Sequence, residues 1–167
     1  MYSGLLLLLL QALSFTLGVH GLAATDSTSD ADPPQSGYLP NHNMNPDVVN
    51  SPIFGILWTN PYGKKEKWYA KPLVYTTANA NSGKQLVFLA SSMNIIRTID
   101  AVTGALISQR QLQPPFLQSE LGCTDIPDYI GIIGTPVIDP STDTAYFFSK
   151  GYKNGASSGG VANGIYK

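Results

Sequence analysis

Short apolar runs separated by turn-forming residues dominate the chain from residue 51 onward. Gly, Pro, Asn or Asp bounds most of these runs, and few of them show the three-to-four-residue spacing of an amphipathic helix. Runs of this kind are typical of β-strands joined by tight turns, so the pattern predicts an all-β fold. The predicted strands cover residues 53–58, 68–77, 85–91, 95–100, 105–112, 136–139, 145–150 and 163–166.

Two stretches of the chain repeat one scheme, a strand, a polar turn and a second strand. The later stretch covers residues 131–150, and the earlier one lies around residues 71–91. Pro72 has no backbone N–H to donate, so it is expected at the beginning of its strand or on a sheet edge. Four predicted strands fall within about 45 residues there, the length of one propeller blade. The repeat predicts a partial β-propeller, about two four-stranded antiparallel blades in an incomplete ring.

Two of the predicted turns begin with an aspartate, in residues 100–104 and 139–143. An aspartate at this position accepts hydrogen bonds from backbone N–H groups about two residues later. Gly104 is suited to the positive φ that closes such a hairpin, and Asp143 would adopt it less comfortably. These aspartates are therefore interpreted as turn formers, not as catalytic groups.

The N-terminus carries the longest apolar run, from Leu5 to Val19. At about 15 residues it is shorter than the ~20 of a membrane-spanning helix and fits the core of a signal peptide. Residues 1–23 are predicted to be a signal peptide cleaved after Ala23 or Ala24. A retained signal anchor is the competing interpretation, since no Lys or Arg precedes the run. No later segment is apolar over a spanning length, so the mature chain is expected to be secreted and extracellular without a stable membrane span.

Residues 24–50 form a predicted flexible leader ahead of the partial propeller at residues 51–167. The first part, residues 25–35, is polar and acidic and contains two prolines, a composition typical of unstructured segments. The second part, residues 41–50, is rich in Asn and Pro and is predicted to be a loop.

The charge of the chain favours neither nucleic acid nor a basic partner. Charged residues make up 13% of the sequence and the net charge is −1, so no basic field favours nucleic acid. The one charge run, residues 64–67, lies between Tyr62 and Trp68. Basic residues beside aromatic residues can stack on bases or sugars. A solvated hairpin tip is the preferred interpretation of these residues.

Four stretches of the chain carry a family resemblance: FGILW at residues 54–58, YAKPLVY at 69–75, NIIRTIDAVTGAL at 94–106, and the motifs between residues 122 and 150. Through these stretches the chain resembles the quinoprotein alcohol dehydrogenase-like β-propeller superfamily, in particular its secreted PQQ-like repeat proteins. The resemblance implies a propeller several times longer, so this chain is expected to be an N-terminal fragment. It also implies a tryptophan soon after the turn at Gly104, which residues 105–110 lack.

The resemblance implies that full-length relatives use pyrroloquinoline quinone and calcium to oxidise alcohols or sugars. No motif here matches a cofactor-binding or catalytic residue, so none is assigned. The expected function is a non-catalytic binding or structural module, with a small-molecule or carbohydrate ligand as a candidate. Two alternatives remain open: the N-terminal part of a quinone-dependent alcohol or sugar dehydrogenase, and a small secreted β-domain that self-associates through open sheet edges.

Few residues are candidates for chemistry. His42 is the one histidine outside the predicted signal peptide and is interpreted as a surface loop residue. Cys123, the single cysteine, is predicted to form a disulfide with a partner outside this chain; a buried free thiol and an intermolecular bridge are the alternatives. Asp125 and Asp128 are too few for a calcium site and fit a turn. The Gly-rich residues 154–164 lack the ending of a phosphate-binding loop and are predicted to join two strands.

Overall fold

Antiparallel strands with little helix make up the fold, and this confirms the all-β prediction. The computed structural model of the protein describes residues 25–29, 32, 34–39, 45–78, 83–122 and 124–166. The predicted signal peptide, His42 and Cys123 lie outside these residues.

The described elements comprise one helical turn, ten short strands and three 3-10 turns. The helix α1 is Pro46–Val49, and the 3-10 turns are Gln118–Glu120, Lys153–Gly155 and Val161–Asn163. The strands are β1 (Leu73–Thr76), β2 (Gln85–Ala90), β3 (Ile95–Asp100), β4 (Leu106–Gln111), β5 (Phe116–Leu117), β6 (Tyr129–Ile130), β7 (Val137–Asp139), β8 (Thr144–Tyr146), β9 (Lys150–Tyr152) and β10 (Gly164–Tyr166).

The four predicted strands of the first repeat form one antiparallel sheet in the order β1-β2-β3-β4. The bounds of β3 agree with the prediction, whereas the strand predicted at residues 68–77 is shortened to β1. Pro72 lies directly before β1, which is a sheet edge, as its missing N–H predicts. A register shift between Thr98 and Ile99 marks a bulge where β4 begins to pair with β3.

Both faces of this sheet are covered, each by a different part of the chain. On the first face, Leu73 lies opposite Phe88 and Tyr75 lies opposite Leu86; all four are buried. We call it the core face. Buried Ile132 and Ile138 from the second half of the chain pack there, with half-buried Phe147. The second face carries Arg97 and is covered by residues preceding β1. The main core is therefore sandwiched between the sheet and the second half of the chain.

The second half does not form the predicted four-stranded blade within the described residues. Its strands form three two-stranded sheets, β5-β6, β7-β8 and β9-β10. The strand predicted at residues 145–150 is interrupted: β8 ends at Tyr146, and a new strand begins at Lys150. β10 pairs with β9 and not with β8. The second half therefore repeats the hairpins of the first repeat but does not join them into one sheet.

No strand forms at residues 53–58, so that prediction is wrong. Trp58 instead packs against the β3–β4 turn, where its Nε1 donates a 3.0 Å hydrogen bond to the carbonyl oxygen of Ala101. A Cβ on Gly104 would lie 2.6 Å from the Trp58 ring, so the close packing requires glycine there. A tryptophan thus docks on this turn, although it precedes the turn in sequence instead of following it.

The aspartate-led turns form as predicted. Asp100 Oδ1 accepts hydrogen bonds from the N–H groups of Val102 and Thr103 at 3.0 and 2.9 Å. Gly104 and Asp143 both adopt positive φ, 73° and 53°. Asp139 accepts from the N–H of Ser141 at 2.9 Å. These carboxylates act on neighbouring backbone, which confirms their interpretation as turn formers.

Part of the predicted leader is bonded to the sheet. Asp26 exchanges two backbone hydrogen bonds with Val74 of β1, and its carboxylate lies 2.7 Å from the Lys71 ammonium. Ser27 accepts a 2.8 Å hydrogen bond from the N–H of Ile138. These contacts depend on residues distant in sequence, so the polar composition of the leader did not indicate them.

Candidate functional site

A groove of about 890 Å³ lies between the end of β4 and the β7–β8 hairpin. One wall is formed by residues 110–113, and the other by residues 145–149 with Gly134, Thr135 and Val137. The groove opens on the core-face side of the four-stranded sheet, because Arg110 lies opposite Ile96, which packs on the main core. Its volume falls in the range of ~300–1,000 Å³ common for ligand-binding sites.

The wall from β8 onward alternates between buried and exposed side chains. Ala145 and Phe147 point inward and pack on the main core. Tyr146 and Phe148 point outward and are 61% and 78% exposed. Val137, opposite Tyr146 in the hairpin, is also exposed. We call Val137, Tyr146 and Phe148 the outward stripe. Strands with apolar side chains on both faces are usually covered on both faces. Here the face that carries the outward stripe is open.

The outer edge of β4 adjoins the groove. β4 ends the sheet order, so its outer backbone groups pair with no other described strand. Its side chains are mostly exposed and polar, and Arg110 is the single charged residue on this strand. Lysines, prolines or bulges usually protect an exposed edge, and here the bulge lies at the opposite end of β4. The last residues of β4 therefore offer a regular edge for an added strand.

A second exposed apolar surface lies before Trp58. Residues 53–57, which we call the apolar segment, carry four large side chains at 57–88% exposure: Ile53, Phe54, Ile56 and Leu57. Among described groups, none forms a hydrogen bond with the backbone of residues 55–57. The segment leads through Trp58 into the layer that covers the second face of the sheet, and none of its residues lines the groove.

The second face holds a buried ion pair that the charge pattern did not reveal. Arg97 and Glu66 are buried and joined by two hydrogen bonds of 2.5 and 3.0 Å. Arg97 Nε also donates to Gln109 at 2.6 Å, and its guanidinium lies 4.2 Å from the Tyr62 ring centroid and 5.7 Å from that of Trp68. The solvated hairpin tip is therefore wrong for Glu66, whereas Lys64 and Lys65 are exposed. Three of the five N–H donors of Arg97 are bonded, and the two bonds to Glu66 connect the covering layer to β3.

A buried amide adds hydrogen bonds between the two halves of the fold to the packing of the main core. Asn94, fully buried, donates from Nδ2 to the carbonyl oxygens of Gln113 and Lys150 at 3.1 and 2.7 Å. Its φ of 56° is a conformation that asparagine tolerates better than most residues. Gly131 lies against it, and a Cβ there would be 2.4 Å from Asn94 Oδ1. We call Asn94 and Gly131 the joint.

A carboxylate organises the Gly-rich loop before β10. Glu120 accepts a 2.6 Å hydrogen bond from the Tyr152 hydroxyl and backbone hydrogen bonds from Gly159 and Gly160 at 3.3 and 2.7 Å. The Tyr152 hydroxyl in turn accepts from the N–H of Leu117 at 3.0 Å. The loop joins two strands, as predicted, and holds a protein carboxylate instead of a phosphate.

We expect the Glu120 contacts to be lost in acid. The hydrogen bond from Tyr152 lowers the pKa of Glu120 below its ordinary 4.5. The contacts therefore add stability above pH 4.5 and lose it as the pH falls through the lowered pKa. Burial, and secondly the hydrogen bond to Glu120, raises the pKa of Tyr152 above its ordinary 10.0. The stability that the neutral Tyr152 hydroxyl adds is therefore present below pH 10.0 and is lost as the pH rises through the raised pKa.

Amide chemical shifts of Gly159 and Gly160, followed by NMR from pH 7 to 2, measure this transition. The expected midpoint lies below 4.5. In Tyr152→Phe, which removes the largest cause of the shift, the midpoint should move up toward 4.5. A midpoint at or above 4.5 in the unsubstituted protein would contradict the Glu120 geometry.

Among the described residues, no side chain considered as a candidate for chemistry lines the groove. Asp125 and Asp128 are exposed, and within the described residues no three His, Cys, Asp or Glu side chains form a metal-binding group. No helix in the described ranges is long and apolar enough to cross a membrane. The groove itself was missed by sequence reasoning, although the uninterrupted apolar run at residues 145–148 was the signal for a strand covered on both faces.

Comparisons of the chain with protein-family models, with curated proteins and with solved structures found no match. The resemblance of residues 54–150 to quinoprotein-like propellers therefore stays a prediction, and the functional conclusion depends on the geometry of the groove.

Proposed function

We propose that the protein is a secreted, non-catalytic binding module of the quinoprotein-like β-propeller type that holds an extended apolar protein segment in the groove beside β4. The outward stripe carries this proposal. Three exposed apolar side chains lie on one wall of the groove: Val137 of β7, Tyr146 of β8 and Phe148 just after β8. The neighbouring side chains Ala145 and Phe147 pack on the main core. Contiguous exposed apolar patches on a protein surface often mark interaction sites.

Several features support a protein segment as the ligand. The open edge of β4 supplies backbone donors and acceptors, and the neighbouring apolar wall supplies pockets for alternate side chains. This combination is the recognition mode in which an extended peptide adds a strand to a sheet edge. The four-stranded meander β1–β4, with a second hairpin packed on its face, supports the propeller-type architecture. Export is supported by the apolar run at the N-terminus.

A peptide library tests this function. Displayed random peptides of about ten residues are selected on the full chain, and the best are measured by isothermal titration calorimetry. We expect apolar, strand-forming peptides with Kd of roughly 1–100 μM, a range typical of small edge-strand interfaces. The double variant Tyr146→Ser/Phe148→Ser should bind them at least tenfold more weakly.

The matched control is Val161→Ser, which removes an exposed apolar side chain outside the groove. It should bind the selected peptides as the unsubstituted chain does. Failure to select any peptide, or equal binding by the double variant, would refute the groove as the binding site.

A further inference from the structure

We infer that the groove is filled by the apolar segment, residues 53–57, of a second copy of this chain. The inference rests on the proposed function and names its partner. The chain carries both halves of such a contact: an open strand edge beside an apolar wall, and an exposed apolar stretch whose backbone at residues 55–57 bonds to no described group. The edge of β4 lacks a neighbouring strand, and the apolar segment lacks a described partner for its backbone at residues 55–57.

The charges of the two surfaces agree with this pairing. Residues 53–60 contain no charged residue, and the outward stripe is likewise uncharged. Arg110, the one charged residue of β4, is exposed and can keep its guanidinium in water while its stem lines the groove. Docking the segment therefore requires no charge to be buried, which removes the largest penalty that a partner could meet there.

The geometry favours a head-to-tail contact. The groove opens on the core-face side of the sheet, whereas the apolar segment leads through Trp58 into the layer over the opposite face. Each copy therefore uses two different surfaces, and neither surface pairs with itself. When the two surfaces of one copy meet two different neighbours, the contact is heterologous and builds closed rings or open chains; reciprocal exchange between the same two copies would give a closed dimer.

The available area sets the expected strength. At roughly 150 Å² for a large side chain, the four exposed side chains of the segment offer on the order of 500 Å². A matching area on the groove brings the total to about 1,000 Å², the lower end for a specific interface. The association is therefore expected to be weak, with Kd on the order of 10 μM.

Complementation between two variants tests the inference. Ile56→Asp/Leu57→Asp disables the segment and leaves the groove, and Tyr146→Ser/Phe148→Ser disables the groove and leaves the segment. All four substituted side chains are exposed, so both variants should fold. Circular dichroism and thermal melting check this. The measurement is sedimentation velocity between 1 and 200 μM.

We expect the unsubstituted chain and the Val161→Asp control to form dimers and larger species with rising concentration, and each double variant alone to stay monomeric. An equimolar mixture of the two double variants should form dimers and stop there, because only one intact segment and one intact groove remain per pair. A synthetic peptide of residues 51–60 should bind the segment-disabled variant, with at least tenfold weaker binding to the groove-disabled one.

The other outcomes overturn the inference. An unsubstituted chain that stays monomeric at 200 μM indicates a foreign partner, or docking of the segment within its own chain. A mixture that stays monomeric while the unsubstituted chain associates indicates a different interface. If library peptides bind the groove in either case, the proposed function stands and only the self-contact fails; if they do not bind, both fail.

Discussion

Arg97→Met is expected to lower the free energy of unfolding by about 3–5 kcal/mol, because it leaves the buried Glu66 carboxylate without its partner. Arg97 and Glu66 are 5% and 7% exposed, so water does not replace the lost hydrogen bonds. The guanidinium also packs over the ring of Tyr62. Methionine would keep apolar contact with this ring but would lose the cation–π interaction. Urea denaturation followed by fluorescence and circular dichroism measures the change.

The matched variants separate the ion pair from packing. Glu66→Met alone leaves the Arg97 charge buried, with Gln109 as its one polar side-chain partner among the described residues, so a loss of similar size is expected. The double variant Arg97→Met/Glu66→Met removes both charges and should recover most of the stability, to within about 1–2 kcal/mol of the unsubstituted protein. If Arg97→Met costs less than about 1 kcal/mol, the pair is solvated and the covering layer is not fastened as described.

The parts of the fold that local sequence predicts are those that local contacts build. β3 has the predicted bounds because a turn on each side delimits its apolar run. The carboxylate of Asp100 accepts its hydrogen bonds from within the turn, from the N–H groups of Val102 and Thr103. In both places the interactions that decide the structure lie within a few residues, where spacing and residue type are informative.

The parts that sequence reasoning missed depend on distant partners. The residue that makes burial of Glu66 possible, Arg97, lies 31 positions later, so a charge run alone predicts exposure. Residues 53–57 are as apolar as a strand, but a strand needs a neighbour to pair with. Here Trp58 is captured by the β3–β4 turn, and the segment before it is left exposed. Local propensity is overridden by tertiary context in both cases.

The groove depends both on local sequence and on contacts between distant residues. The apolar run at residues 145–148 indicated a strand with two buried faces, and the structure covers one of them with the main core. The wall opposite, at the end of β4, comes from a different repeat and is placed there by the joint at Asn94. The geometry of the candidate site therefore depends on how firmly the two halves of the chain are joined.

Gly131→Ala tests that joint and is expected to cost about 3 kcal/mol, a melting-temperature loss of roughly 6–12 °C for a chain of this size. The new Cβ would lie 2.5 Å from the carbonyl oxygen of Ser92 and 2.4 Å from Asn94 Oδ1. The Asn94 side chain is held by its two hydrogen bonds, so relief requires breaking them or moving backbone. Differential scanning calorimetry measures the loss.

Gly134→Ala is the matched control, because a Cβ there meets nothing within 4 Å. Neither glycine has a positive φ, so alanine suits both backbones and the difference between the variants reports the close approach alone. The loss should also be uneven along the chain. In Gly131→Ala, hydrogen exchange should accelerate more in β7–β9 than in β2 and β3, because the clash separates the second half from a sheet that keeps its own pairing. Uniform acceleration would mean that the two halves unfold as one unit, and then the groove wall would be as rigid as the sheet beside it.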